Sequence, residues 1–478
     1  MITKLTTAAG LWGSLQLLAR ALGWKARRVE GTLCSTAETQ GGSTQARKSS
    51  CEKDISGSRQ QRSGASPKLL LRALARHDTP LAGTDKRRAC SQRQSRCSRL
   101  FASRVVLALA CYLLLACFGC TKSTPVSNGY VYVSNGKSDS VTVIDTASLA
   151  PVRTLNVGKN PTGITANPVN SEIYVVSTDA GTVSVIDSRS NQVVATMAVQ
   201  RNPYFLAVTP DGTRAFVPNA GSNTVTALNL QNRQLLGNIP VPAQPGSVRV
   251  SPDGKLVVVS SRGGNSVALI DAQKLNLLAT IPACQNPEEI AILPDSSKAF
   301  VTCTGSRQVA AIDLRNRRLL ALLRVGGTPV SLLLKPDGGE LFVCNFEADT
   351  ISAINTAANE VSESFLAGSN PVSGAFSGDS TALYVSNLRS NSVAVFDVAT
   401  RKLLVSVPVG SKPDAMVLTP DERLLFVNDS GSGDVSVLRL DPRVDKKIQA
   451  PPQRLFTMIP VGMQPNGIVF KASSTASQ

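Results

Sequence analysis

The sequence predicts an all-β protein, a β-propeller of four-stranded antiparallel blades. Three observations carry the prediction. A short signature begins at Tyr132, Tyr174, Phe216, Val258, Phe300, Phe342, Tyr384 and Phe426, a spacing of 42 residues kept through all seven intervals. Each unit divides into four short apolar or alternating runs with turn residues at every junction, the make-up of a propeller blade. The series opens on a second run, Tyr130 to Asn135, and closes on a first run, Pro465 to Lys471. The last strand can therefore complete the sheet that the first three begin, closing the ring and removing its free edges. A unit of this size cannot bury its own apolar faces and must stack on its neighbours.

The unit from Pro203 to Gln244 shows each element in order. A run from Pro203 to Pro210 meets the turn Pro210-Asp211-Gly212, and Arg214 to Pro218 leads into the polar loop Asn219 to Asn223. Thr224 to Leu230 turns at Gln231 to Arg233 into Gln234 to Val241. The first run is expected innermost. It starts at Pro161, Pro203, Pro245, Pro287, Pro329, Pro371, Pro413 and Pro465, and apolar residues such as Ile164 and Ala166, Leu206 and Val208, Val248 and Val250, and Ile290 and Ile292 alternate along it. That alternation puts one face between blades. Every kind of strand occurs eight times, so eight blades are predicted. About ten extra residues near Leu440 to Pro452 are expected in a loop after the third strand of the seam blade.

Tyr-Val-Ser-Asn at Tyr132 and Tyr384, Phe-Val-Pro-Asn at Phe216, the run Asn-(Thr/Ser)-Val-x-x-(Ile/Leu)-(Asp/Asn) and the Pro-Asp-Gly turn together resemble the YVTN β-propeller repeat family, including YncE-like secreted proteins. The resemblance spans residues 128–471. It implies a secreted or surface propeller of binding character and does not by itself imply a reaction. Many members of that family have seven blades, which makes seven the alternative to eight.

The 478-residue chain carries a formal net charge of +17, but 20 of its 50 basic and 6 of its 33 acidic residues lie in the first 120, leaving only +3 for the remainder. A nearly balanced repeat region without a basic stripe gives no reason to expect nucleic acid. Residues 1–99, rich in Ser, Gln and Arg, have a composition that cannot offset ordering entropy; they are expected to be disordered or to lie upstream of the natural start. Residues 100–120 contain Arg104 and the apolar run Val105 to Ala116, the layout of a secretory signal. Its end resembles a bacterial lipoprotein signal, implying lipidation at Cys117, behind Leu114 and Ala116, or at Cys120, behind Gly119. Residues 121–129 read as a linker, 130–471 as the propeller and 472–478 as a tail. The protein is thus expected to be exported, anchored to a membrane through lipid, periplasmic or at the cell surface, and monomeric.

The repeat constrains where chemistry can lie. Asp145, Asp187, Asn229, Asp271, Asp313, Asn355 and Asp397 recur with the period and read as turn caps after the third strand. Asn135, Asn219, Asn345 and Asn387, replaced by Ser177, Ser261, Cys303 and Asp429 in the other units, read as loop caps after the second. The position directly after the linker proline instead differs between blades: Thr162, Tyr204, Gly246, Glu288, Val330, Val372, Asp414, Asn466. Variable side chains on a uniform scaffold are where specificity can be placed. The candidate ligand site is therefore the channel mouth, formed by Tyr204, Glu288, Glu289, Asp414, Asn466, Arg201, Arg249 and Lys412.

The only histidine, His77, and both tryptophans, Trp12 and Trp24, lie in the leader. The propeller then has no imidazole for haem, zinc or a Ser-His-Asp triad, and it lacks the Trp docking motifs of quinoprotein alcohol dehydrogenases. No cofactor, metal or catalytic residue is expected. Beyond residue 120 the cysteines are Cys284, Cys303 and Cys344; an exported protein permits a Cys284–Cys303 disulfide, isolated thiols being the alternative. The resulting functional expectation is a non-catalytic binding module at the cell envelope, taking an envelope protein or a small ligand. The alternatives are a lactonase-like metal-dependent hydrolase, with Glu288, Asp414 and Asn466 holding a hard cation, and a purely structural envelope protein.

Overall fold

The computed structural model describes residues 128–440 and 454–473. They form eight four-stranded antiparallel sheets. Blades 2 to 8 are each contiguous in sequence, with strands ordered from the channel outward; in blade 2 these are Pro161–Ala166, Glu172–Ser177, Thr182–Asp187 and Gln192–Ala198. Blade 1 is composite. Gly129–Asn135, Ser140–Asp145 and Ala150–Asn156 form its outer three strands, and Pro465–Ala472 supplies the inner one. The closing register pairs Val131 with Phe470, Tyr132 with Val469 and Val133 with Ile468. The chain is an eight-bladed propeller, and the seven-blade alternative falls.

The insertion was expected in the seam blade and belongs to its neighbour. Residues 441–453 join the third strand of blade 8, Asp434–Arg439, to its outer strand, Arg454–Pro460. Only the final strand crosses the seam, so the last hairpin before it is part of a contiguous blade. These insertion residues lie outside the described residues, as do the expected leader, the signal with Cys117 and Cys120, the linker up to residue 127 and the tail from residue 474.

The core lies between the blades. The leading residues of the eight signatures are at most 5% exposed. Side chains alternate along the second strand, so Tyr132 packs toward blade 2 with Ile173 and Val175, while Val131 and Val133 pack toward blade 8 with Phe426, Val435 and Val437. Each buried cluster is likewise shared by two adjacent blades, as where Tyr174 and Val176 meet Leu206 and Val217, or Phe216 and Val225 meet Val248 and Val257. The inner-strand residues Ile164, Leu206, Val248 and Ile290 join such interfaces. Strand alternation thus gives both faces of every blade to a neighbour.

One contact recurs beneath the channel mouth. The signature's last residue is buried at the end of each second strand, and where it is Asn it does more than cap a loop. Asn135 donates to Thr142 Oγ1 at 2.9 Å, Asn219 to Thr226 Oγ1 at 2.8 Å and Asn345 to Ser352 Oγ at 2.9 Å, tying second strand to third. The loop arriving from the preceding blade lies against the same carboxamide. A Cβ at Gly462 would stand 2.6 Å from Asn135, one at Gly326 2.8 Å from Asn345, and one at Gly368, whose φ is +119°, 2.6 Å from Asn387. Glycine meets three of the four asparagines; against Asn219 the loop residue is Gln200, whose amide donates to Asn219 Oδ1 at 3.2 Å. In blade 5 both partners change together: the loop residue is Cys284, the strand residue is Cys303, and the two form a disulfide. Cys344 is a buried free thiol, pushed up to about 12 by burial.

Replacing both half-cystines by Ala should lower stability by about 3 kcal/mol, the loop-entropy term for a closed loop of this size. Cys284→Gly/Cys303→Asn should recover part of that loss by rebuilding the Gly368–Asn387 contact of blade 7. Denaturant unfolding under oxidising conditions compares the two, and a Gly/Asn variant no more stable than the Ala pair would contradict the equivalence.

Candidate functional site at the channel mouth

The regular polar positions are structural. Asp145 accepts from Ala147 N at 3.2 Å and Ser148 N at 3.2 Å, Asn229 from Gln231 N at 2.9 Å, and Asp271 from Lys274 N at 2.8 Å. Turn amides and hydroxyls hold the carboxyls of Asp271, Asp313 and Asp397 below their ordinary range. These are Asx turns after the third strand.

At the opposite ends of the strands, the residues following the linker prolines join adjacent inner strands. Arg249 of blade 4 pairs with Glu289 of blade 5, and Arg262 of blade 4 stands 3.7 Å from Glu288. Both glutamates are thereby countered by arginines of the preceding blade, while Glu289 N donates to Thr302 Oγ1 within its own sheet at 2.9 Å. Asn466 of blade 1 donates to Pro161 O of blade 2 at 3.1 Å. Thr162 of blade 2 donates to Tyr204 O of blade 3 at 3.1 Å.

Blade 3 is the irregular one. Its inner strand is reduced to Ala207–Val208, with a single further bridge from Pro203 to Asn219. The carbonyls preceding it turn sideways to blade 2, where Thr178 donates to Pro203 O at 2.7 Å and Thr165 to Leu206 O at 3.1 Å. The approach needs Gly163, where a Cβ would stand 2.6 Å from Tyr204 O. Tyr204 is left 41% exposed, edge-on to Phe205 with ring centroids 4.8 Å apart. The loop that carries it also lines a hollow of about 450 Å³ between blades 2 and 3, bounded by Thr178, Gly181, Thr182, Gln200, Arg201 and Ser222. Arg201 and Asn202 are exposed there.

On blade 8, Lys412 is exposed and Asp414 is half-buried. Burial pushes the Asp414 carboxyl up to about 7 against the opposing pull of the Ser430 hydroxyl and the Ala415 amide. Its Oδ1 is buried without a donor. The eight expected mouth residues are thus not one cluster. Glu288, Glu289 and Arg249 meet at the blade 4–5 boundary, Arg201 and Tyr204 at blades 2–3, Lys412 and Asp414 on blade 8, and Asn466 on blade 1. Among the described residues no group of three Asp, Glu, Cys or His side chains is arranged to hold a metal ion. Sequence reasoning missed Thr178 and Arg262. They share the position just after the signature, which is Gly136, Ala220, Thr304, Phe346, Leu388 and Ser430 elsewhere; its variation between blades was the available signal.

No protein-family model and no curated protein matches the chain. Among solved structures it is similar to hydrazine synthase of Kuenenia stuttgartiensis, with a TM-score of 0.50 and 23% identity over 60% of this chain and 96% of that one. It is also similar to dihydro-heme d1 dehydrogenase NirN in complex with DHE, with a TM-score of 0.60 and 16% identity over 73% of this chain and 77% of that one. At these identities the likeness is one of fold. The class is that of eight-bladed β-propellers, here with a mouth stitched together by bonds between neighbouring inner strands.

Thr178→Val keeps the side chain's shape and removes the hydroxyl that bonds Pro203 O. A cost of about 1–2 kcal/mol is expected, with faster amide exchange at Phe205 to Val208; unchanged stability and exchange would show that the sideways tie is not what holds this segment.

Proposed function

We propose that the protein is an exported, lipid-anchored propeller of the YVTN, YncE-like kind, acting as a non-catalytic binding module, and that its ligand or partner is taken at the mouth between blades 2 and 3. The observation that carries the reading is the contrast in use of the mouth residues. Glu288, Glu289 and Asn466 are spent on ties between blades. Tyr204 and Arg201 stay exposed on a loop beside a hollow of about 450 Å³. An exposed aromatic and an arginine next to a concavity are the residue types that anchor binding partners. The Cys284–Cys303 disulfide supports export, because such bonds persist in oxidising compartments.

The likeness to NirN, solved in complex with DHE, supports the propeller as a binding scaffold and extends no further. This propeller has no histidine, so a ligand would be held by the mouth's aromatic, guanidinium and hydroxyl groups. A hydrolase using Glu288, Asp414 and Asn466 would need a shared cation between blades 5, 8 and 1, and the Arg262 pairing already neutralises Glu288.

The test is affinity capture from an envelope extract with wild type, Tyr204→Ala, Arg201→Ala and, as a comparison, Glu288→Ala. Tyr204→Ala and Arg201→Ala should each lose a partner by roughly tenfold or more, the size of a hot-spot truncation, while melting as wild type does, and Glu288→Ala should retain it. Equal recovery by all four proteins would remove the proposed site.

A further inference from the structure

Blade 8 departs from its seven sisters at two positions that face each other, one fully buried and one half-buried. The signature's last residue is Asp429, and the residue paired with it at the start of the third strand is Asp434. In the other blades the corresponding pairs are Asn135 and Ser140, Ser177 and Thr182, Asn219 and Thr224, Ser261 and Ser266, Cys303 and Gln308, Asn345 and Thr350, and Asn387 and Ser392, with no carboxyl at either position. Asp429 is fully buried. Its Oδ2 accepts from Ser436 N at 3.1 Å and Ser436 Oγ at 2.7 Å. Its Oδ1 and the Oδ1 of Asp434 are both buried and find no donor, although the two residues stand directly opposite each other across the second and third strands. Two carboxylates cannot donate to one another, whereas a carboxylic acid and a carboxylate can.

We propose that Asp429 and Asp434 share one proton and form a pH-sensitive latch at the channel mouth: singly protonated, the pair clamps the second and third strands of blade 8, and doubly ionised it loosens them. The hairpin above the pair holds the loops on both of its flanks. Ser430 N donates to Lys412 O at 3.0 Å, Gly431 N to Ser411 O at 2.9 Å, and Ser411 N to Ser432 Oγ at 2.9 Å. On the other side Val461 N donates to Gly433 O at 3.0 Å, fixing the loop that leads into the closing strand. The latch therefore governs the mouth where the ring is sealed.

The surroundings favour the shared proton. The loop over the pair contributes Gly410, whose absent Cβ would stand 2.6 Å from the Asp429 carboxyl. Lys412, the charged residue of that loop, is exposed to solvent. The outer strand presents Pro460 opposite Asp434, and the loop at 461–464 carries no charge. On the inner strand Pro413 pairs with Asp429, and Asp414 follows it with a carboxyl that is itself raised by burial. Burial, and then the neighbouring Asp434 carboxyl, hold Asp429 well above the usual carboxylate range. Because the folded state retains a proton that the unfolded chain has lost, the pair's contribution falls as pH rises from the ordinary carboxylate range toward neutrality. The propeller contains no histidine to obscure that window.

Asp414 titrates over the same range, so the test compares Asp414→Asn with Asp414→Asn/Asp429→Asn/Asp434→Thr, the added residues being those of blades 3 and 6. Melting at pH 5 and pH 8 should show Asp414→Asn losing several degrees and the triple variant losing at most half as much. In the wild type, amide exchange corrected for its intrinsic pH dependence should quicken at pH 8 in residues 410–412 and 430–436 more than in the matching segments of blade 6. A triple variant whose melting falls as steeply as that of Asp414→Asn would overturn the latch, as would equal pH response of the two blades; the exchange measurement stands even if the triple variant does not fold.

Discussion

No blade of this protein can cover its own faces, and the ring must close for any of them to be covered. Every buried cluster is shared between two blades, so an open ring would expose an apolar face at each side of the gap as well as an unpaired strand edge. The seam is sealed by pairing residues more than 300 positions apart in sequence, Val131 with Phe470 among them. Contacts of such separation form only after the loop-closure entropy of the intervening chain has been overcome. The seven contiguous blades therefore hold the geometry in which the closing strand finds its place, and that strand in turn fixes the first and the last of them.

Within that frame, one contact under the mouth is solved in several chemical ways, three of which differ in kind. Glycine against asparagine gives close backbone approach and a carboxamide that ties two strands together. Cys284 against Cys303 makes the same join covalently. Gly410 against Asp429 keeps the close approach and exchanges an amide for a carboxyl, which turns a constant hydrogen bond into one that depends on protonation. The mouth residues vary in the same spirit. Threonine hydroxyls, an asparagine amide and two arginine–glutamate pairs all connect neighbouring blades. Variation at a repeated position therefore does not by itself mark a ligand site, and exposure beside a hollow is what distinguishes Tyr204 and Arg201.

The fold was legible because period, turn residues and strand alternation all act locally. Pro203, Phe216 and Asn229 each declare their place from their neighbours in sequence, and the order of runs at the two ends announces how the ring closes. The destination of the insertion at residues 441–453 was misread because the seam claims one strand and not a whole unit. The mouth was less legible for a different reason. Whether Glu288 is free or paired depends on Arg262 of the preceding blade, a residue from a position that seemed to belong to a loop. The shortened inner strand of blade 3 depends on three threonine hydroxyls of blade 2 and on Gly163, none of which signals its role alone. Contacts between blades are written in pairs of units, and a reading by single units does not find them.

The dependence of the whole structure on ring closure is tested most directly by ending the chain after Gln464, which removes the closing strand and leaves all other strands intact. Both tryptophans lie outside the propeller, so calorimetry is the suitable probe. The full chain should show a cooperative transition. The shortened chain should show none, and adding a synthetic peptide of residues 465–473 should restore at least part of it. A shortened chain that still melts cooperatively within about 5 °C of the full one, a shift worth only about 3–4 kcal/mol in a propeller of this size, would contradict the account.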